Sequence, residues 1–127
     1  MKPLRVLLVD DEGEFVSTLA ERLSIRGIET EFATAGEEAL RLVSTRCFDV
    51  AILDMKMPGM GGLRLKGQIQ EMCPAMRFVF LTGYGSEKEF QAVSCQVGEE
   101  FCLVKPVDIE DLIAKMMEAL GVKGEEG

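Results

Sequence analysis

The chain alternates short apolar runs with stretches in which apolar residues recur every three or four positions. Leu4 to Val9 is a run of the first kind and ends abruptly in Asp10-Asp11. From Glu14 to Arg26, Phe15, Leu19 and Leu23 repeat at a spacing of four, which places them on one helical face, and Gly27 closes that helix. Ile28 to Ala33 alternates as a second strand, and Glu37 to Ser44 follows as a second helix. Phe48 to Leu53 is a third strand, interrupted by Asp49 and ending at Asp54. Beyond the turn-rich Pro58-Gly59-Met60-Gly61-Gly62, residues Leu65, Ile69 and Met72 mark the apolar face of a third helix that stops near Pro74. Phe78 to Leu81 predicts a fourth strand ending at Thr82-Gly83, and Phe90, Val93 and Val97 a fourth helix. Phe101 to Val104 predicts a fifth strand ending at Lys105-Pro106, and Leu112, Ile113, Met116 and Leu120 a last helix.

Five repeats of strand then helix predict an α/β fold, a parallel sheet with helices on both faces. The near-continuous apolar strands agree, because such a sheet is buried on both sides. Right-handed crossovers leave few topologies, and for five strands the natural one is a doubly wound open sheet. Residues 1–121 are expected to form one domain. Residues 122–127, rich in glycine and charge, are expected to form a flexible tail.

Charge and composition narrow the functions. The 127 residues carry a net charge of −8, which excludes non-specific nucleic-acid binding by the domain itself. No apolar run approaches the roughly 20 residues of a membrane-spanning helix, and the N-terminal run ends in acids rather than in a cleavage site, so a cytoplasmic protein is expected. The chain has no histidine, and its four cysteines (Cys47, Cys73, Cys95 and Cys102) form no Cys-x-x-Cys pair. A structural zinc site and a Ser-His or Cys-His catalytic pair are therefore not expected, and the cysteines are expected to be reduced and mostly buried.

The chemistry-bearing residues stand at strand ends. Asp10 and Asp11 follow the first strand, Asp54 the third, Thr82 the fourth and Lys105 the fifth. In a doubly wound sheet, ligands bind outside the carboxyl ends of the strands, where these side chains would converge. Two carboxylates about 5 Å apart repel by about 3 kcal/mol at an effective dielectric near 20, so three clustered acids call for a cation. All-oxygen ligands select a hard ion, and Mg2+ suits a small open site. Asp54 is then the candidate nucleophile for a phosphoryl group. Asp11, helped by Asp10, would hold the magnesium, Lys105 would pair with Asp54 and afterwards with the phosphoryl group, and the Thr82 hydroxyl would donate to a phosphoryl oxygen.

The segments Val9-Asp10-Asp11-Glu12, Leu53-Asp54-Met55-Lys56-Met57-Pro58-Gly59-Met60, Leu81-Thr82-Gly83 and Val104-Lys105-Pro106 together resemble the signature of response-regulator receiver domains, in order and along essentially the whole chain. The resemblance implies a CheY-like, flavodoxin-like fold with five helices and strand order 2-1-3-4-5. It implies a signalling switch rather than an enzyme, with intrinsic autophosphorylation and autodephosphorylation on Asp54. A sensor histidine kinase or histidine phosphotransfer protein would supply the phosphoryl group, and a downstream effector protein or domain would read the changed surface. A homodimer formed on phosphorylation is compatible with it. It also implies that the main-chain carbonyl of Lys56 joins Asp10, Asp11 and Asp54 around Mg2+ and that Lys105-Pro106 is cis. Lys56 and Tyr84 stand where the family tunes phosphoryl lifetime, and read equally well as solvent-exposed rim residues.

Two positions depart from the family pattern. Gly61 stands where an aspartate often precedes the glycine that opens the third helix, a change costing only a few tenths of a kcal/mol. Cys102 occupies the switch position, three residues before the lysine, where the family usually carries an aromatic side chain that moves inward with the threonine. Neighbouring strand residues point to opposite faces, so Phe101 is no automatic substitute, and signalling without an aromatic swap is expected.

Other functions fit less well. A haloacid-dehalogenase-like phosphatase would need a second acid where Lys56 stands, and a flavin carrier a phosphate-binding loop where Asp10 and Asp11 stand. An interaction module with a defunct site would leave the full set of strand-end residues without a purpose.

Overall fold

Alternation along the strands sorts the core into two layers. In a computed structural model, residues 3–83 and 102–121 are described. They contain five strands, β1 (Arg5–Val9), β2 (Glu29–Ala33), β3 (Val50–Asp54), β4 (Arg77–Thr82) and β5 (Cys102–Val104), and four helices, α1 (Gly13–Ile25), α2 (Gly36–Thr45), α3 (Gly62–Met72) and α4 (Ile109–Ala119). The fourth helix expected from Phe90, Val93 and Val97 lies outside the described residues, as do Tyr84, Cys95, Phe101 and the tail 122–127.

All strands are parallel, in the order β2-β1-β3-β4-β5. Leu7, Val9, Ala51, Leu53, Phe78 and Phe80 face α2 and α3, while Val6, Leu8, Val50, Ile52, Val79 and Leu81 face α1 and α4. β3 is buried at every position, as expected for the centre of a doubly wound sheet. Each helix presents a narrow apolar stripe to its layer, with Val16, Leu19, Ala20 and Leu23 buried in α1 and Ile109, Leu112, Met116 and Ala119 in α4. The carboxylate of Asp108 caps α4 by accepting from the backbone N–H groups of Glu110 and Asp111.

Two expectations are corrected. Met72, placed by its spacing on the buried face of the third helix, is 43% exposed, and the stripe instead continues from Leu65 and Ile69 to Cys73. Cys47 and Cys73, expected as thiols, are joined in a disulfide with a Cα–Cα distance of 6.0 Å. The pairing follows from tertiary structure, because α2 and α3 lie side by side on one face and bring the segments after their C-termini together. Of the remaining cysteines, Cys102 is buried as expected.

Candidate functional site

Backbone hydrogen bonds carry the sheet one residue beyond its strands and fix the residues at its C-terminal edge. The Asp10 N–H donates to the Ala33 carbonyl (3.1 Å), the Met55 N–H to the Leu81 carbonyl (2.9 Å) and the Lys105 N–H to the Thr82 carbonyl (2.8 Å). Asp10, Asp54 and Thr82 are thereby held at an edge where each is at most 5% exposed, whereas Asp11 opens to solvent. The Asp10 carboxylate also accepts the Glu12 N–H at 2.9 Å, which turns the chain toward α1.

α3 begins almost in contact with Asp54. A Cβ on Gly62 would lie 2.6 Å from the Asp54 carbonyl oxygen, and the Gly62 N–H donates to the Met55 carbonyl at 3.1 Å. Glycine is required here for close approach of two backbones rather than for an unusual φ. Gly61, the departure from the family pattern, caps α3 without a side chain, as expected.

Asp10, Asp11 and Asp54 each offer a carboxylate oxygen, and these oxygens all lie within 4.8 Å of one another. The Lys105 ammonium answers them at 2.7 Å from Asp10, 3.2 Å from Glu12 and 3.8 Å from Asp54. The lysine is thus drawn chiefly to Asp10 and only secondarily to Asp54, the partner expected from the sequence. Its Nζ also lies 4.9 Å from the centroid of the Phe15 ring, within range of a cation–π contact. Neither Glu12 nor Phe15 has a role at the site that the sequence predicts. The acid run Asp10-Asp11-Glu12 is a signal for the first, and no sequence signal marks the second.

Electrostatics make the cluster uneasy without a cation. Burial, reinforced by the charge of Asp10 and weakly by Asp11, pushes the Asp54 carboxyl up from 3.8 to about 6. Lys105 and the backbone N–H of Lys56, which donates to the Asp54 carboxylate, work against that rise. For Lys105, burial alone would lower the ammonium's pKa, but the hydrogen bond and charge of Asp10, followed by Asp54 and Glu12, carry it above 10.5. Among the described residues the buried Thr82 hydroxyl has no hydrogen-bond partner. Buried hydroxyls normally find one, so the edge holds a donor in want of an acceptor.

The Lys56 side chain is exposed at the rim, and the Lys105-Pro106 bond is cis. Cys102 is buried on the α2–α3 side in register with Phe80, two residues before Thr82 on β4.

Fold and site together define a doubly wound sheet with an acidic, lysine-bearing cluster at the carboxyl ends of its strands. Residues 6–117 match the family model described as the response regulator receiver domain, and the chain belongs to that family. It is 35% identical over 119 residues to the transcriptional regulatory protein GlrR of Escherichia coli K12, covering 94% of this chain and 27% of that protein. It is 32% identical over 118 residues to the response regulator MprA of Mycolicibacterium vanbaalenii, covering 93% of this chain and 51% of that protein. The chain therefore spans about a quarter to a half of these relatives. Among solved structures, a response regulator receiver domain protein (CheY-like) from Methanospirillum hungatei superposes with a TM-score of 0.82 at 30% identity, covering 99% of this chain and 100% of that one. A receiver domain protein from Clostridium thermocellum gives 0.81 at 31% identity, covering 93% and 94%.

Receiver domains of two-component response regulators are signalling switches, and the acid cluster here fits the Mg2+ binding of that family. The fit is chemical. Three oxygen donors within 4.8 Å and a carboxyl raised by burial and by the neighbouring charge of Asp10 are what a hard divalent cation would relieve. No helix among the described residues is long and apolar enough to cross a membrane.

Proposed function

We propose that Asp54 accepts a phosphoryl group and that the chain thereby switches the surface it offers to a partner. The observation that carries this proposal is the convergence of three carboxylates, one ammonium and one unsatisfied buried hydroxyl at the carboxyl ends of the central strands. In the transfer an Asp54 carboxylate oxygen bonds to phosphorus while the bond from phosphorus to the donor's histidine nitrogen breaks, and the electron pair leaves with the imidazole. These 127 residues hold no histidine, so the donor histidine lies outside them, in a sensor histidine kinase or histidine phosphotransfer protein.

Asp10, Asp11, Asp54 and the main-chain carbonyl of Lys56 would hold Mg2+, which when bound neutralises negative charge on the phosphoryl oxygens. The raised pKa of Asp54 has a cost. Without a cation part of the Asp54 population is protonated near pH 6, and the protonated form is a poor nucleophile. Lys105, already within 3.8 Å of Asp54, shifts toward it from Asp10 as negative charge grows on the phosphorylated side chain. Thr82 supplies the donor that the phosphoryl oxygen lacks and gains the partner it now wants. The same groups support slow self-catalysed phosphorylation from small phosphodonors and self-dephosphorylation by water.

Movement of Thr82 is the readout. Cys102, in register with Phe80 two residues before Thr82, is small and buried, so the change passes through packing rather than through an aromatic ring swinging inward. The recipient is a downstream effector protein or domain, or a second copy of the phosphorylated chain. With a net charge of −8 the domain does not bind nucleic acid itself, and a cytoplasmic location suits its histidine-kinase partner. Binding of beryllofluoride, a phosphoryl mimic, tests the proposal by fluorine NMR. Bound resonances are expected with Mg2+ for the unaltered protein and none for Asp54→Ala; equal binding by both would overturn it.

A further inference from the structure

The disulfide lies at the opposite end of the sheet from the acidic site. Cys47 follows α2 and leads into β3, whereas Cys73 ends α3 and leads into β4. The sequence separation of 26 encloses β3, Asp54 and all of α3 in one covalent ring. The two sulfurs differ in access, because Cys47 is exposed while Cys73 is only 4% exposed. Beside them opens a cavity of about 730 Å³ lined by both cysteines together with Arg5, Asp49, Pro74 and Arg77. It leaves room for a peptide-sized thiol to approach the exposed sulfur.

We propose that Cys47 and Cys73 form a reversible thiol–disulfide exchange site for low-molecular-weight disulfides of the glutathione class, and that its state fastens or frees the C-terminal end of α3. In the cytoplasmic location proposed above, on which this inference rests, a disulfide is seldom a permanent brace and is more often transient and redox-sensing. Access sets the order of events. The Cys47 thiolate, its proton released to solvent, attacks one sulfur of glutathione disulfide, whose S–S bond breaks, and one glutathione leaves as a thiolate that takes up a proton. The Cys73 thiolate then attacks the Cys47 sulfur of the mixed disulfide, and the second glutathione leaves in the same way. Two cysteine thiols are oxidised while one glutathione disulfide is reduced to two thiols, and excess glutathione runs the steps in reverse.

The mechanical consequence follows from α3. Its first residue, Gly62, is hydrogen-bonded to the loop after Asp54, and its eleven residues run about 16 Å to the disulfide. Oxidised, the helix is held at both ends. Reduced, its far end keeps the packing of Ile69 and Cys73 and the backbone hydrogen bonds of Cys73 but loses its covalent tie, so the amides of its last turn exchange with solvent more readily.

The test equilibrates the full chain in glutathione buffers of varied redox ratio, traps thiols by alkylation and assigns each cysteine by peptide mass. Cys47 and Cys73 are expected to pass together between thiols and disulfide in both directions while the protein stays folded. Cys73→Ser should keep a glutathione adduct on Cys47, and Cys47→Ser should leave Cys73 unmodified. Hydrogen exchange in the last turn of α3 should be several-fold faster in the reduced protein. A disulfide that resists excess glutathione in the folded state, thiols that stay unpaired in glutathione disulfide, adducts on Cys73 in Cys47→Ser, or exchange unchanged by reduction would each overturn the proposal. None of these outcomes depends on whether Asp54 takes a phosphoryl group.

Discussion

Replacing Asp54 by asparagine should stabilise the metal-free protein at neutral pH, although it removes a charged partner of Lys105. Folding raises the Asp54 carboxyl from 3.8 to about 6 through burial and the nearby charge of Asp10. At about 1.4 kcal/mol for each tenfold change in proton affinity, that rise corresponds to about 3 kcal/mol of folding free energy lost when the group is ionised. An acid whose folded-state pKa lies above its unfolded value binds its proton more tightly when folded. Its stabilising effect is therefore fully present below pH 3.8 and is lost as the pH climbs through about 6. The uncharged amide of the variant avoids that loss, and Lys105 keeps Asp10 at 2.7 Å and Glu12 at 3.2 Å, so no buried ammonium is orphaned. Urea denaturation of both proteins in chelator, at pH 7.5 and again at pH 4.5, measures the difference. The asparagine variant should be more stable by about 3 kcal/mol at the higher pH, and its advantage should shrink by about 2 kcal/mol at the lower one. Other acids titrate in both proteins and largely cancel. An asparagine variant no more stable than the parent at pH 7.5, or an equal gain at both pH values, would refute the electrostatic reasoning.

Three further outcomes follow from other parts of the structure. Magnesium at ten times its dissociation constant should raise the stability of the unaltered protein by about 1.4 kcal/mol, and the gain should largely vanish in Asp11→Asn, as urea midpoints with and without the ion would show. Gly62→Ala forces a methyl to within 2.6 Å of the Asp54 carbonyl, so it should cost about 1–3 kcal/mol and weaken magnesium binding through the displaced acceptor loop, read by denaturation and by calorimetric titration. Reducing the disulfide opens a ring with a sequence separation of 26 and should lower stability by about 3–4 kcal/mol on the chain-entropy model, measured as the shift in urea midpoint on adding reductant.

Much of this architecture was legible in the sequence because strand ends in a parallel sheet announce themselves. An apolar run that stops at an aspartate, threonine or lysine marks both the strand and the residue it delivers, and Asp10, Asp54, Thr82 and Lys105 all obey that rule. Helix faces were less secure. The third helix's spacing of Leu65, Ile69 and Met72 fitted a helical period, but Cys73, not Met72, turned out to complete the stripe. Contacts between distant segments were illegible. Lys105 reaches Glu12 across 93 residues and also meets Phe15, and neither contact has a periodic signature. The disulfide is hidden for the same reason: cysteine spacing alone does not determine connectivity, and only the packing of α2 beside α3 brings Cys47 to Cys73. Even the preference of Lys105 for Asp10 over Asp54 needed coordinates, since both acids stand at neighbouring strand ends and their distances to Nζ are 2.7 and 3.8 Å.

The most direct test of Asp54 as acceptor is intact mass after incubation with acetyl phosphate, followed by borohydride trapping and peptide mapping. With magnesium, a single phosphoryl adduct that traps at Asp54 is predicted, absent in chelator and absent from Asp54→Ala. An adduct mapping elsewhere, one that survives in Asp54→Ala, or no adduct in a folded protein shown to bind magnesium would contradict that role.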